Sequence, residues 1–293
     1  MAEIIQKDGT WAFDGDALRL TPGRDKNVSP LRRELGELSV PLGAVAGISF
    51  EQGRKSGRLR LRLRDGSDPL LQATGGRLTE PNDPYQLTVE SDRYGVAEYV
   101  TDAVRNALLL DGVSPEPATE YLLPGPSLPV SASAGDGTAS FDGERVRLEW
   151  NWKTEDAKAV SGPRTIPLAE IAGVEWQPAA GLENGHLRFE VRGAPVTAPP
   201  KYDPNAVELW GFKKDPLMAL VAAAVQARLP HPSAPSASAD AVRPEPLPLT
   251  KEAAEDGHDA LLRRLRELGD LHREGVLTDE EFTLAKQAVL KRM

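Results

Sequence analysis

Four arginines at alternate positions are the residues of this sequence whose type and spacing best suit the binding of an anion. They are Arg58, Arg60, Arg62 and Arg64, and a leucine occupies each position between them. Because side chains alternate between the two faces of a strand, all four guanidinium groups are predicted to emerge from one face. Such a row could bind phosphate groups, an acidic peptide or an acidic patch on a second subunit through its forked N–H donors.

Catalytic and metal-binding patterns are missing from the sequence. The chain has no cysteine, which excludes disulfides, thiolate metal sites and thiol catalysis. The four histidines lie singly, without the spacing of a metal-binding pair: His186, His231, His258 and His272. There is no phosphate loop, nucleophile elbow or dinucleotide fingerprint. We therefore predict a non-enzymatic protein with no cofactor or metal; an enzyme with an unrecognised site between the two copies described next is the alternative.

The elements that must position the arginines occur twice in the chain. Residues 8–15 match 136–143 and residues 57–61 match 185–189, both at an offset of 128; residues 39–42 match 165–168 at 126, and residues 83–84 match 203–204 at 120. Colinear matches of this kind indicate a duplicated module. The changes of offset are typical of surface loops of different length between strands.

Each copy is predicted to consist of short antiparallel strands followed by one helix. Apolar residues alternate with polar ones along the strands, and an Asp-Gly pair such as Asp14-Gly15 is typical of a tight hairpin turn. Helical stripes with a spacing of four then close the copies: Val96, Val100, Val104 and Leu108 in the first, and Leu217, Val221, Val225 and Leu229 in the second. The order resembles the pleckstrin-homology-type fold. We predict a mainly β fold with α, in which two tandem pleckstrin-homology-like sheet domains are each closed by a C-terminal helix.

The second copy supports a plainer interpretation of the arginine row. A strand face in water can carry charges that are paired with Asp or Glu of the neighbouring strand. At the equivalent positions the second copy has a mixed set: His186, Arg188, Glu190 and Arg192. Both interpretations stay open. The tryptophans at positions 11, 150, 152, 176 and 210 follow strand patterns, which predicts that they pack in the core.

Composition divides the chain into five predicted parts. They are a first module (1–112), a connector (113–133), a second module (134–229), a disordered linker rich in Pro, Ala and Ser (230–256) and a helical hairpin (257–293). Within the connector, Tyr121-Leu122-Leu123 is too apolar for a free linker and is predicted to dock against one copy.

The C-terminal hairpin is predicted to need a partner. Two helices of this length cannot bury enough apolar surface to be stable alone. Its apolar residues are therefore candidate contacts for oligomerisation or recruitment: Leu261, Leu265, Leu268, Leu271, Leu277, Phe282 and Leu290. A capping-box spacing from Thr278 to Glu281 predicts the start of the second helix.

Two parts of the chain resemble known families. The hairpin resembles the short C-terminal domain called SHOCT, whose pattern is met by Leu268, Gly275, Leu277, Thr278, Glu281, Phe282 and Lys286. The repeats, with Tyr-Leu-Leu-Pro-Gly-Pro at 121–126, resemble an uncharacterised actinobacterial family of paired domains, the DUF4429-like repeats. The first resemblance implies an element for oligomerisation or recruitment, and neither implies catalysis.

Charge and hydropathy narrow the expected partners. The formal net charge is −9 and the pI is about 5.1, which argues against general affinity for nucleic acid or anionic membranes. The longest apolar run, residues 217–225, is too short to span a bilayer, and we expect a cytoplasmic protein. The predicted function is a binding or scaffold protein that forms a homo-oligomer or binds a protein partner through its hairpin. The alternative is a module that binds phospholipid head groups or nucleic acid through Arg58 to Arg64.

Overall fold

The repeats fold as two tandem units of antiparallel sheets in the computed structural model, which describes residues 1–194 and 198–234. Each repeat contains one four-stranded and one three-stranded sheet, with the strands in sequence order. The predicted mainly β fold in two tandem units is thereby confirmed. The hairpin contacts from Leu261 to Leu290 and the predicted linker after residue 234 lie outside the described residues.

In the first repeat the chain passes from one sheet to the other after the fourth strand. The four-stranded sheet comprises β1 (Ala2–Gln6), β2 (Gly9–Phe13), β3 (Ala17–Pro22) and β4 (Leu38–Pro41), and the three-stranded sheet comprises β5 (Val45–Glu51), β6 (Ser56–Leu63) and β7 (Gln86–Glu90). The Asp14-Gly15 turn joins β2 to β3 as predicted, since Gly15 has a φ of 119° and Oδ1 of Asp14 accepts hydrogen bonds from two backbone N–H groups.

The second repeat follows the same plan. Its sheets comprise β8 (Val130–Ala134), β9 (Gly137–Phe141), β10 (Arg145–Trp150) and β11 (Arg164–Pro167), and then β12 (Ile171–Gln177), β13 (Gly185–Val191) and β14 (Ala206–Leu209). The repeat thus begins at β8, within the segment that the sequence assigned to the connector. No strand was predicted at β1 or β8, each of which is only five residues long.

Five α-helices connect and cover the sheets of the described residues: α1 (Pro30–Leu35), α2 (Pro69–Thr74), α3 (Tyr94–Leu110), α4 (Asp156–Ala159) and α5 (Met218–Gln226). None of the helices in the described ranges is long and apolar enough to cross a bilayer. Helix α3 has the predicted stripe, since Val100 and Val104 are buried against the first repeat while Tyr99 and Leu109 are exposed.

Helix α5 differs from its predicted one-sided stripe because all nine of its residues are buried. One side packs on β8, β9 and β12, and the other side packs on α2 of the first repeat. Asp68 caps the N-terminus of helix α2, because its carboxylate accepts hydrogen bonds from the N–H groups of Leu70 and Leu71. Gly75, in the left-handed conformation, caps the C-terminus. The helix lies in the stretch where the offset falls from 128 to 120, so the first repeat has eight extra residues there.

The two repeats therefore share a hydrophobic core. Leu31, Leu70, Ala73 and Leu78 of the first repeat belong to the same buried cluster as the sheets and helix of the second. The connector joins this assembly, as predicted, since the N–H groups of Leu122 and Leu123 donate to the carbonyl oxygen of Ser67. It also reaches the second repeat, where Nε2 of Gln226 donates to the hydroxyl of Tyr121 over 2.7 Å.

Residues 230–234, which the sequence assigned to the linker, lie against the first repeat. Nε2 of His231 is 2.9 Å from the carbonyl oxygen of Gly66, just after β6, and its ring packs edge-on against Tyr121. The last described residues, 230–234, thus lie beside the end of β6.

The predicted core position of Trp152 is wrong, because its side chain is 87% exposed. Strand β10 ends at Trp150, and the next residue, Asn151, turns the chain by donating to the carbonyl oxygen of Gly135. The period-two alternation therefore stops before Trp152. Trp11 and Trp176 are buried as predicted, whereas Trp150 and Trp210 are only partly buried.

Candidate binding face on the first repeat

Strand β6 carries the predicted arginine row on its outer side. The strand lies in the middle of its sheet, between β5 and β7, and its leucines at 59, 61 and 63 point into the core. Arg58, Arg60 and Arg62 are exposed on the opposite side, while Arg64 follows the last residue of β6 and is partly buried. We call the outer side of β6 with Arg58, Arg60 and Arg62 the arginine face.

The arginines at the two ends of the row have partners. Nη2 of Arg58 lies 2.8 Å from a carboxylate oxygen of Glu80, in the loop that precedes β7. Arg64 donates to two backbone carbonyl oxygens, those of Glu116 and Gly43, each over 2.8 Å. Arg58 is thus partly neutralised, and Arg64 has a structural role because it ties the connector to the sheet.

The two central arginines differ from their neighbours. Among the described residues, neither Arg60 nor Arg62 forms an ion pair or a hydrogen bond through its side chain. The residues opposite Arg60 on the flanking strands are Ser49 and Gln86, both uncharged. Arg62 extends over Gly47, where a Cβ atom would lie 3.9 Å from its Nη2 atom. The arginine face therefore presents two guanidinium groups to solvent.

The equivalent face of the second repeat is closed by its own chain. Nη2 of Arg188, the counterpart of Arg60, donates to the carbonyl oxygen of Ala198 over 3.0 Å. Its Nε lies 3.0 Å from Oδ2 of Asp203 in an ion pair. The counterpart of Arg58 is His186, which is only 8% exposed. Burial lowers the pKa of His186, and the nearby charge of Arg188 acts in the same direction.

The loops that follow the two central strands also differ between the repeats. In the second repeat the chain returns from β13 to β14 over the face, bringing Ala198 and Asp203 onto Arg188. In the first repeat the longer loop between β6 and β7 forms α2, which packs on α5 instead. Asp83, the counterpart of Asp203, lies near Arg60 but forms no ion pair with it, so the side chain of Arg60 stays exposed.

The sequence analysis missed a buried ion pair in the second repeat and its partly buried counterpart in the first. Nζ of Lys158 lies 2.6 Å from Oδ2 of Asp136, and neither side chain has appreciable contact with solvent. Burial raises the pKa of Asp136 and lowers that of Lys158, and their ion pair opposes both shifts. The counterparts in the first repeat are Asp8 and Arg32, with a separation of 3.6 Å.

These pairs connect the two sheets of each repeat. Asp136 accepts a hydrogen bond from the N–H of Glu208 on β14 over 2.8 Å, and Asp8 accepts one from the N–H of Thr88 on β7 over 3.1 Å. Each aspartate thus ties the first hairpin turn to the edge strand of the other sheet. The sequence did contain a signal for these pairs. Asp136 and Lys158 follow Asp8 and Arg32 at offsets of 128 and 126, which are the offsets between the two copies.

A cleft of about 330 Å³ lies beside the Arg58 end of the arginine face. Its walls carry five acidic side chains, Asp8, Asp25, Glu80, Asp83 and Glu90, and two basic ones, Lys7 and Arg32. Burial raises the pKa of Asp83, although Arg60 and Arg32 oppose the shift. The cleft includes Gln86, which lies opposite Arg60, so the negative charge of Asp83 partly offsets the charge of Arg60.

A comparison with protein families identifies the repeats. The family model described as Domain of unknown function (DUF4429) matches residues 11–105 and 139–226. The chain belongs to the DUF4429 family. Both matched regions include the central strand of the three-stranded sheet, so each DUF4429 region carries one version of the face, open in the first and closed in the second. No curated protein matches the chain.

The described part of the two DUF4429 repeats also places the histidines that the sequence singled out. Within the described residues there is no group of three His, Asp or Glu side chains that could hold a metal ion. His186 is buried beside Arg188, and His231 contacts a backbone carbonyl group. His258 and His272 lie outside the described residues.

Proposed function

We propose that this DUF4429 protein is a non-enzymatic binding scaffold. Its two repeats serve as one rigid body because they share a core, and the open arginine face of the first repeat is its binding surface. The observation that carries the proposal is the difference between the copies: the second repeat closes its face with its own chain, whereas the first leaves Arg60 and Arg62 open to solvent.

The order of elements supports a pleckstrin-homology-like architecture for each repeat. A four-stranded sheet is followed by a three-stranded sheet and then by a helix that packs on the core, α3 in one repeat and α5 in the other. Function does not follow from such an architecture, so the proposal rests on the face and not on the fold.

The C-terminal hairpin, residues 257–293, is the proposed element of assembly. Its SHOCT-like pattern and its apolar residues support a role in joining copies of the chain or in recruiting another protein. Linked copies would raise the local concentration of a weak binding face, so avidity could exceed the affinity of one face.

Light scattering tests the assembly role. In the full chain, Leu265→Asp combined with Phe282→Asp should reduce the measured mass to that of a monomer, because both changes place a charge on the apolar stripe. Deletion of residues 256–293 should have the same effect, with an unchanged circular dichroism melting curve for the repeats. If both variants keep the oligomer, assembly resides in the β repeats. A wild-type chain that is already monomeric would contradict self-association and support recruitment.

An anion-binding module for phospholipid head groups or nucleic acid is the second candidate. The two open guanidinium groups of Arg60 and Arg62 favour it, since arginine binds phosphate oxygens with paired donors. A steep loss of binding with added salt would support this candidate, because counterion release scales with the number of phosphates contacted.

A further inference from the structure

We propose that the arginine face of the first repeat binds an extended acidic segment of a partner protein, in which carboxylates occupy alternate positions. This inference rests on the proposed binding function and specifies the chemistry of the partner.

The second repeat shows how a polypeptide can occupy this face. There, Arg188 takes a backbone carbonyl oxygen from Ala198 and a carboxylate oxygen from Asp203, each at 3.0 Å. Both groups come from one loop of the same chain. Arg60 occupies the equivalent position in the first repeat and has neither contact among the described residues, since Asp83, the counterpart of Asp203, accepts hydrogen bonds from the N–H of Tyr85 and the side chain of Gln86 instead. A peptide that supplies a carbonyl and a carboxylate would restore the arrangement that the second repeat already contains.

The spacing of the arginines suits an extended chain. Arg60 and Arg62 are two residues apart on one face of β6, which places their Cα atoms roughly 7 Å apart. Side chains two residues apart in an extended peptide have the same spacing, so Glu-X-Glu can place one carboxylate on each guanidinium. A helical peptide would present its carboxylates with a period of three to four residues, which does not match.

The surrounding charge disfavours large polyanions. The acidic cleft with Glu80, Asp83 and Glu90 adjoins the face, and the whole chain has a formal net charge of −9. A membrane or a nucleic acid would bring its negative charge close to these carboxylates as well as to the arginines. A short peptide is small enough to contact Arg60 and Arg62 from the side of β5, where the flanking residues Ser49 and Gly47 are uncharged; Gln86, on the β7 side, borders the cleft.

Fluorescence anisotropy with the full chain tests the proposal. The probe is a labelled synthetic decapeptide that alternates glutamate with threonine, and the comparison peptide has glutamine in place of each glutamate. The first peptide should bind and the second should not. Arg60→Gln combined with Arg62→Gln should weaken binding at least about tenfold, which corresponds to about 1.4 kcal/mol.

The second repeat provides a matched control. Arg145 and Arg147 are also exposed and two residues apart on one strand, but Glu144 and Glu149 lie beside them in ion pairs. Arg145→Gln combined with Arg147→Gln removes the same charge and should leave peptide binding unchanged. Arg60→Lys combined with Arg62→Lys keeps the charge but loses the forked donors, and should bind with intermediate affinity. This lysine variant separates loss of binding from loss of folding.

Three results would overturn the inference. The first is a control variant at Arg145 and Arg147 that weakens peptide binding as much as the variant at Arg60 and Arg62, and the second is equal binding of a peptide with glutamates at every fourth position. The third is tighter binding of phosphatidylserine vesicles or of a single-stranded oligonucleotide than of the alternating peptide. The last result would favour the anion-binding candidate. Absence of peptide binding by a chain that assembles through its hairpin would refute the acidic-peptide inference and leave the scaffold proposal standing, so the two failures are distinguishable.

Discussion

Replacing Leu70 by alanine should destabilise the second repeat, although Leu70 belongs to the first. Leu70 lies on α2, is 2% exposed, and belongs to the hydrophobic cluster that contains α5 and the sheets of the second repeat. A buried Leu→Ala change costs about 2–5 kcal/mol, through lost burial and the cavity that remains. We expect about 3 kcal/mol for Leu70→Ala, because a helix of only six residues can move partly into the space.

Tryptophan fluorescence can report on the second repeat alone. The chain has five tryptophans, and only Trp11 lies in the first repeat. In a Trp11→Phe background the remaining signal comes from Trp150, Trp152, Trp176 and Trp210. Urea unfolding of this protein should show a lower midpoint after Leu70→Ala, and thermal unfolding should shift down by about 6–12 °C, since 1 kcal/mol corresponds to about 2–4 °C at this size.

Leu109→Ala serves as the control. Leu109 lies on α3 and is exposed, so its replacement should change the free energy of unfolding by less than about 0.5 kcal/mol. If Leu70→Ala leaves the fluorescence transition of the second repeat in place while circular dichroism shows loss of first-repeat structure, the two repeats have independent cores. The assignment of α2 as the element that joins them would then be wrong.

Two further predictions concern buried charges in the second repeat. Lys158→Met leaves the Asp136 carboxylate buried without its cation and should lower the free energy of unfolding in urea by about 3–5 kcal/mol. Adding Asp136→Asn should recover part of this loss. A double variant that is no more stable than the single variant would contradict this account. Burial lowers the pKa of His186 below the usual 6.5 of a histidine, so the unfolded state binds the proton first. Stability therefore falls as the pH drops through 6.5 toward the folded pKa. His186→Gln should reduce the loss of stability between about pH 7 and about pH 5, and an unchanged pH dependence would show that His186 does not cause it.

Local patterns predicted the strands and turns that carry the candidate face. The alternation of arginine and leucine predicted that β6 has one charged side, and the leucines at 59, 61 and 63 are buried as required. The same reasoning failed at Trp152, because a strand's period says nothing about where the strand ends. Asn151 ends β10 through contacts with the turn at Gly135, which is distant in sequence.

The buried pair of Asp136 and Lys158 shows a limit of motif-based reading. Asp136 belongs to an Asp-Gly pair, a pattern that predicts only a tight turn, but its carboxylate also accepts a hydrogen bond from the edge strand of the other sheet. Lys158 carried no local signal, since an isolated lysine in a polar segment is usually solvated. Aligning the two copies residue by residue would have shown that a cation recurs at the positions of Arg32 and Lys158.

By itself, the sequence determined the duplication, the strand faces, the terminal helices and the outward direction of the arginines, because these depend on residue spacing within one element. Only the tertiary structure decided that α5 is covered on both sides, that the repeats share a core, and that Arg60 and Arg62 are open while Arg188 is closed. These outcomes depend on where the loop after the central strand packs. This loop is eight residues longer in the first repeat, where it forms α2 against α5, and in the second repeat its Ala198 and Asp203 contact Arg188.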